Sequence, residues 1–344
     1  MNRLNIGGHD IPEGSVTQIE MPVAKLYTDT DISMPVHVIR GRKSGPTLFV
    51  SAAVHGDELN GIEIIRRLIG RKSLRNINGS LILVPIVNVY GVLNQNRYMP
   101  DRRDLNRSFP GSSKGSLAGR VADKFLNEIV RQCDYGIDLH TGAMHRSNIP
   151  QVRANLDDKE TRELAEAFDV PVLINANVKD GSLRQSAVES GTKILLYEAG
   201  EALRFDELSI RAGVKGIMNI MAHLGMTKSK SRKKIVNPFI AYNSSWLRAN
   251  SSGIVRNLKN LGDQVVKGDA LAEIGTPFGK VIDIVRASRG GIIIGKQNIP
   301  LVQEGDAMFH IAYFKGLDDE VAEHIEIMQD SLLPDGDEFN NRNI

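Results

Sequence analysis

His55 and Glu58 stand three residues apart in VSAAVHGDELNG, where a short apolar run gives way to a Gly-containing turn, and that pairing makes half of a zinc site. The other half falls to His140 in GIDLHTG, again where an apolar run ends in a Gly-rich turn. Zn²⁺ takes neutral imidazole nitrogen readily, and a carboxylate ligand holds down the local charge without closing the coordination sphere. Two His and one carboxylate leave a fourth position for water, whose pKa can fall to about 7, so the chemistry indicated is hydrolysis. Hydrolysis needs a base. Glu198 in KILLYEAGE is the candidate, because it ends another apolar run in the same kind of position as the two His. An isolated H-x-x-E also suits a capped helix start, so other segments must add weight. NRYMPDRRDLNRSFPG, from Asn96 to Gly111, sets Arg97, Arg102, Arg103, Asn106 and Arg107 in a Pro- and Gly-punctuated loop. Arginine offers paired donors for a carboxylate and a fixed charge for a developing oxyanion; the bland alternative is a solvated basic loop.

Strands are needed to bring these residues together. PVHVIRG, TLFVSAAV, SLILVPIV, YGIDLH, PVLINA and KILLYEAG are short β-rich runs, and LNGIEIIRRLIG, SLAGRVADKFLNEIVRQ and DDKETRELAEAF have helical periodicity. Their alternation predicts an α/β sheet covered by helices, whose ligand crevice lies beyond the carboxyl ends of the strands. Leu203 to Gly225 closes this part as one or two helices. The expected division is a hydrolase domain over 1–228, a linker over 229–239 that contains much of the basic run KSKSRKK, a small all-β domain over 240–316, and an acidic tail over 317–344 that frays. In the β segment G-D-A plus an apolar residue occurs at Gly268 to Leu271 and again at Gly305 to Met308, an internal repeat. SGIVRNLKNLGDQVVKGDALAEIG is similar to half of a biotinyl/lipoyl-type barrel-sandwich. The Met-Lys-Met hairpin that carries a prosthetic group is missing, and Lys280 is a poor substitute, so the likeness supports a fold and not a carrier function.

HGDELNG, RYMPDRRDLNRSFPG, DLHTG and YEAG, in that order between about Thr47 and Gly200, resemble the succinylglutamate desuccinylase and aspartoacylase family, relatives of the zinc carboxypeptidases. The resemblance implies a zinc-carboxypeptidase-like mixed sheet flanked by helices. It implies one zinc per chain on His55, Glu58 and His140, with Glu198 as general base and acid. It also implies that Arg97 polarises the scissile carbonyl, with Arg103 close by as its rival, and that Asn106 with Arg107 clamps a substrate carboxylate. Arg146 and Arg153, in MHRSNIPQVR, either face the cleft and read an acidic substrate or lie exposed. The activity expected is a zinc-dependent amidohydrolase that cleaves the amide of an N-acyl amino acid by metal-activated water. The alternative is a carboxypeptidase that removes C-terminal residues, glutamate among them, from a peptide or protein.

Composition narrows the remaining classes. A chain of 344 residues with 41% hydrophobic and 24% charged residues has an ordinary globular balance, and a net charge of +2 argues against a nucleic-acid partner. No apolar stretch is long enough to span a bilayer, so no membrane partner is expected. Cys133 is the single cysteine, expected as a buried small residue; with no apolar leader after Met1, it points to the cytoplasm. The β segment is expected to shape the pocket or a homo-oligomer interface.

Overall fold

Three of the apolar runs become neighbouring strands at the centre of one large sheet. Lys43–Ala52 pairs in parallel with Tyr135–Gly142, which pairs in parallel with Lys193–Glu201. The computed structural model describes residues 3–176, 181–228, 238–316 and 318–333. Its main sheet has 13 strands and is mixed. From the central trio it runs one way through Asn78–Val84, Asp31–Arg40 and Val16–Lys25. The other way it runs through Arg146–Ala154, Gly291–Gln297, Ala307–Tyr313 and Asn243–Arg248.

Strand alternation sorts the central side chains onto two faces. Leu48, Val50, Ile137, Leu139, Leu195 and Tyr197 pack under the helices Asn60–Ile69, Lys159–Ala167 and Glu207–His223. Phe49, Ile82, Val84 and Ile194 pack on the other face, against Val121, Phe125 and Leu126 of the helix Leu117–Glu128. Each such fully buried side chain is worth roughly 1.5–3 kcal/mol of transfer free energy. The helix starts are capped as their sequences suggest, with Asp158 accepting from the Thr161 amide at 2.9 Å and Asp206 from the Ser209 amide at 2.7 Å. Among the described residues no helix is long and apolar enough to cross a membrane.

Two strands that residues 1–228 give the sheet were not expected. Val16–Lys25 is an exposed edge strand with only Ile19 and Met21 buried, so its apolar signal is thin. Arg146–Ala154, RSNIPQVRA, lacks a continuous apolar run, yet it lies antiparallel to Lys193–Glu201. Its polar residues include Asn148 and Arg153, which line a cavity.

The C-terminal β segment does not stand apart from the large sheet. Its strand Gly291–Gln297 pairs with Arg146–Ala154 through Gly295 and Asn148, and Phe239–Ala241 pairs in parallel with Val172–Asn175. Only Val281–Arg286, Ala270–Gly275, Gly253–Asn257 and Leu301–Val302 form a sheet of their own, with four strands. The G-D-A repeat recurs as a structural device. Gly268 and Gly305 have φ of +97° and +88°, and the Asp that follows accepts from the Val266 and Gln303 amides at 3.0 and 2.8 Å. Leu271 and Met308 then enter the same small core.

Most of the expected linker over 229–239 lies outside the described residues, and its last residue, Phe239, already opens a strand. The acidic tail begins as the helix Asp318–Leu332, which corrects the expectation of fraying over that stretch. Val321, Ile325 and Met328 are buried, and Arg211 donates to the Leu332 carbonyl at 2.8 Å. A helical stripe of three apolar residues outweighs the acidic composition there.

Candidate metal centre and active site

His55 follows a sharp break in the chain. The strand Lys43–Ala52 ends at Ala53, whose φ is +52°, and the Ala52 and Ala53 carbonyls accept from the Val87 and Asn88 amides at 3.0 and 2.9 Å. Gly56 is required beyond it, since a Cβ there would meet the Gly91 carbonyl carbon at 2.0 Å. The turn delivers Glu58 under the end of the neighbouring strand that carries His140.

The three residues form one buried cluster. His55 Nδ1 lies 2.8 Å from Glu58 Oε1, and His140 Nδ1 lies 2.7 Å from Glu58 Oε2. One ligand atom from each residue can be chosen so that all lie within 4.8 Å of one another. Each imidazole is gripped from behind. His55 Nε2 is 3.1 Å from Asp104 Oδ1, and His140 Nε2 is 2.7 Å from Asp138 Oδ2, which leaves both Nδ1 atoms directed at the shared centre. Asp138 is itself held by the Ser51 hydroxyl at 2.8 Å, two in-register neighbours on adjacent strands. Carboxylates behind ligating imidazoles set the tautomer and ring orientation, which is how metal sites are commonly supported.

The electrostatics agree with a fixed carboxylate. Burial alone would raise the Glu58 pKa, but His55 and His140 hold it well below the usual carboxylate range. Asp104 is likewise held low against its burial by His55 and Arg97. Burial works against charge on His140, yet Asp138 and Glu58 raise it well above an ordinary histidine.

Arg97, Asn106, Arg107, Arg153 and Glu198 line the same cavity of about 510 Å³. Arg97 donates to Glu58 Oε1 at 3.1 Å and to Asp104 Oδ2 at 3.3 Å, so its charge sits at the edge of the cluster. Asn106 is buried and accepts from the Leu183 amide at 2.9 Å, while Arg107 is exposed and donates to the Asn106 carbonyl. Glu198 pairs in register with His140 on the next strand, so both side chains emerge on one face of the sheet. Arg153 Nε lies 2.6 Å from Glu198 Oε2. Arg103 does not join them. It is exposed, 3.9 Å from Asp101, and outside the cavity lining.

Sequence reasoning missed several members of this site. Asp138 is two residues before His140 on one strand, and that same-face spacing was a readable signal. Asp104 lies inside the Arg-rich loop, where the basic residues drew attention from it. Arg184 is the second residue of the helix Leu183–Glu189 and lines the cavity; burial, then the neighbouring Arg153, lowers its pKa. Trp246 comes from the C-terminal segment and stacks on His310 at 4.7 Å between ring centroids, with the Arg146 guanidinium 5.5 Å from the Trp246 ring centre. No local pattern announces that contact. His145 lines a separate cavity.

Comparison with known proteins follows the same lines. The sequence profile of the succinylglutamate desuccinylase/aspartoacylase catalytic domain matches residues 44–224, more than half of the chain. An N-alpha-acetyl-L-2,4-diaminobutyric acid deacetylase from Halomonas elongata is 30% identical over 295 residues, which cover 82% of this chain and 86% of that protein. The product-bound structure of the ectoine utilization protein EutE (DoeB) from Ruegeria pomeroyi superposes with a TM-score of 0.78 at 26% identity, over 86% of this chain and 95% of that one. An aspartoacylase family protein from Mesorhizobium loti gives a TM-score of 0.74 at 27% identity, over 89% and 96%.

Proposed function

The chain belongs to the succinylglutamate desuccinylase/aspartoacylase family, and we propose that within it the protein is a zinc-dependent amidohydrolase that releases the acyl group from an N-acyl amino acid. The observation that carries this reading is the convergence of the His55 and His140 Nδ1 atoms on the two oxygens of buried Glu58, each ring backed by an aspartate. Two imidazole nitrogens and one carboxylate are a donor set that suits zinc, and the outer aspartates suit its supporting shell. His55, Glu58 and His140 would hold the ion. Zinc supplies Lewis acidity toward a carbonyl oxygen and brings the pKa of a water down to about 7.

The chain's own residues do the rest. Glu198, on the same sheet face as His140, accepts a proton from the attacking water and returns it to the leaving amine. Arg97 offers positive charge to the developing oxyanion, although Glu58 and Asp104 already share that charge. Arg107 and Asn106 fix the free carboxylate of the amino acid. Holding the reacting groups in one geometry supplies much of the acceleration, which is why the clamp matters beyond affinity. The Halomonas relative is named for an N-acetyl amino acid deacetylase, which favours a small N-acyl substrate. A clamp for a free carboxylate would serve a peptide C-terminus equally, so carboxypeptidase action is the second reading.

The test is a screen of purified protein against N-acetyl and N-succinyl amino acids and peptides ending in glutamate, before and after chelation. The account expects hydrolysis of at least one N-acyl amino acid, lost on chelation and restored by zinc. Activity on peptides alone would move the assignment to the second reading.

A further inference from the structure

Glu198 is not an isolated base. Its Oε2 lies 2.6 Å from Arg153 Nε, on the adjacent antiparallel strand, and the two side chains are 20% and 26% exposed toward the cavity. The contact is close but unaligned, since neither atom makes a hydrogen bond of ordinary geometry. Elsewhere the fold builds a locked pair. Arg67 donates to both oxygens of Glu207, at 2.9 and 2.8 Å, in the two-pronged geometry that holds guanidinium and carboxylate together. The Arg153 pair lacks that two-pronged contact; its two contacting atoms are buried, and both residues line the cavity.

The other charged groups around Glu198 are accounted for. Arg184, on the helix Leu183–Glu189, feels both the Arg153 and the Glu198 charge. His140 stands in register on the opposite strand and is engaged by Glu58 and Asp138. Arg97 is committed to Glu58 and Asp104. Among the described residues, five arginines line the cavity against three carboxylates, Glu58, Asp138 and Glu198. The first two carboxylates serve the histidine cluster, and the third, Glu198, is the one that Arg153 contacts.

We propose that Arg153 is a positioning residue that acts as an exchangeable counterion of Glu198, drawn away by a second carboxylate on the substrate so that Glu198 is released for proton transfer. The proposal rests on the reading of Glu198 as the base. No bond is made or broken in the exchange; one carboxylate replaces another beside the guanidinium. While Arg153 Nε sits against Glu198 Oε2 that oxygen is occupied, and the exchange frees it to take the proton. Selectivity for a dicarboxylic substrate then shows in kcat, where simple charge attraction would show in KM.

The test compares N-acetyl-L-glutamate with N-acetyl-L-glutamine, which differ in one carboxylate, on wild type, Arg153→Gln and Arg153→Lys, with kcat and KM read separately. Wild type should prefer the acid in kcat. Arg153→Gln should lose that preference in kcat, and Arg153→Lys should return it part of the way. A second readout needs no turnover. By calorimetry, Glu198→Gln should bind glutarate about tenfold more tightly relative to butyrate than wild type does, because the competitor for Arg153 is gone. A retained kcat preference for the acid in Arg153→Gln, or an unchanged glutarate-to-butyrate ratio in Glu198→Gln, overturns the exchange. Near-normal turnover by Glu198→Gln removes the base reading beneath it, a separate result, and the glutarate ratio still decides whether the exchange occurs.

Discussion

Two glutamates line one cavity in opposite circumstances. Glu58 is 2% exposed, with both oxygens taken up by His55, His140, Arg97 and the Thr141 amide. Glu198 is partly exposed and its near neighbour, Arg153, touches it without aligned hydrogen bonds. The residue type is the same and the chemistry is not. An ionised carboxylate held on both oxygens beside two imidazoles suits the proposed metal ligand, whereas one that lines the cavity without such a grip suits the proposed base.

The most severe way to break this comparison is to remove the open carboxylate's charge. In Glu198→Gln, metal content should be unchanged while kcat falls by roughly two to four orders of magnitude, the usual worth of positioned acid–base catalysis. Steady-state kinetics beside elemental analysis checks both halves. Retained kcat with retained metal would mean that another group is the base.

A smaller effect is expected at the clamp. Arg107→Lys keeps the charge but loses the planar fork, so kcat/KM for substrates with a free carboxylate should fall by about 10- to 150-fold while a carboxylate-free amide changes little. Equal discrimination by variant and wild type would place the clamp on another arginine, with Arg184 first because it lines the cavity.

The support behind the enclosed carboxylate should be worth slightly less. Asp138→Asn removes the anionic partner of His140 Nε2 and should cost about 10- to 100-fold in zinc affinity, read by competition with a chromophoric chelator. No change would mean that Asp138 serves only Ser51 and the strand.

How much of this could be read from the chain follows from where each residue sits. His55, His140 and Glu198 were legible because each closes an apolar run, and strands that lie side by side bring their ends together. Asn106 and Arg107 stood out as Arg-rich loop chemistry, and that loop does reach the cavity; Arg103, from the same loop, turns to Asp101. The strand Arg146–Ala154 was hidden because its cavity-facing residues are polar, which erases the alternation a sequence reader looks for. Trp246 and His310 were hidden for a different reason. They reach the site through pairing of Gly295 with both Asn148 and His310, contacts between segments far apart in sequence.

His310, which stacks on the cavity-lining Trp246, gives the mildest prediction. Burial, then the Arg153 charge, pushes the His310 pKa down to about 3. The unfolded chain, with an ordinary histidine near 6.5, takes up this proton first, so the contribution to stability is present above about pH 6.5 and is lost as pH falls toward 3. The slope from this one group is at most about 1.4 kcal/mol per pH unit. Melting curves of wild type and His310→Gln between pH 7 and pH 4 should converge as pH falls; parallel curves would mean that the imidazole already titrates normally in the fold.

The central claim is that one glutamate holds the metal and the other works beside it. Zinc stoichiometry of Glu58→Gln and Glu198→Gln, purified alongside wild type and measured by mass spectrometry with a melting curve for each, tests it most directly. The account predicts about one zinc per chain in wild type and in Glu198→Gln, and a large loss in Glu58→Gln. Full zinc in Glu58→Gln, or loss of zinc from a folded Glu198→Gln, would contradict it.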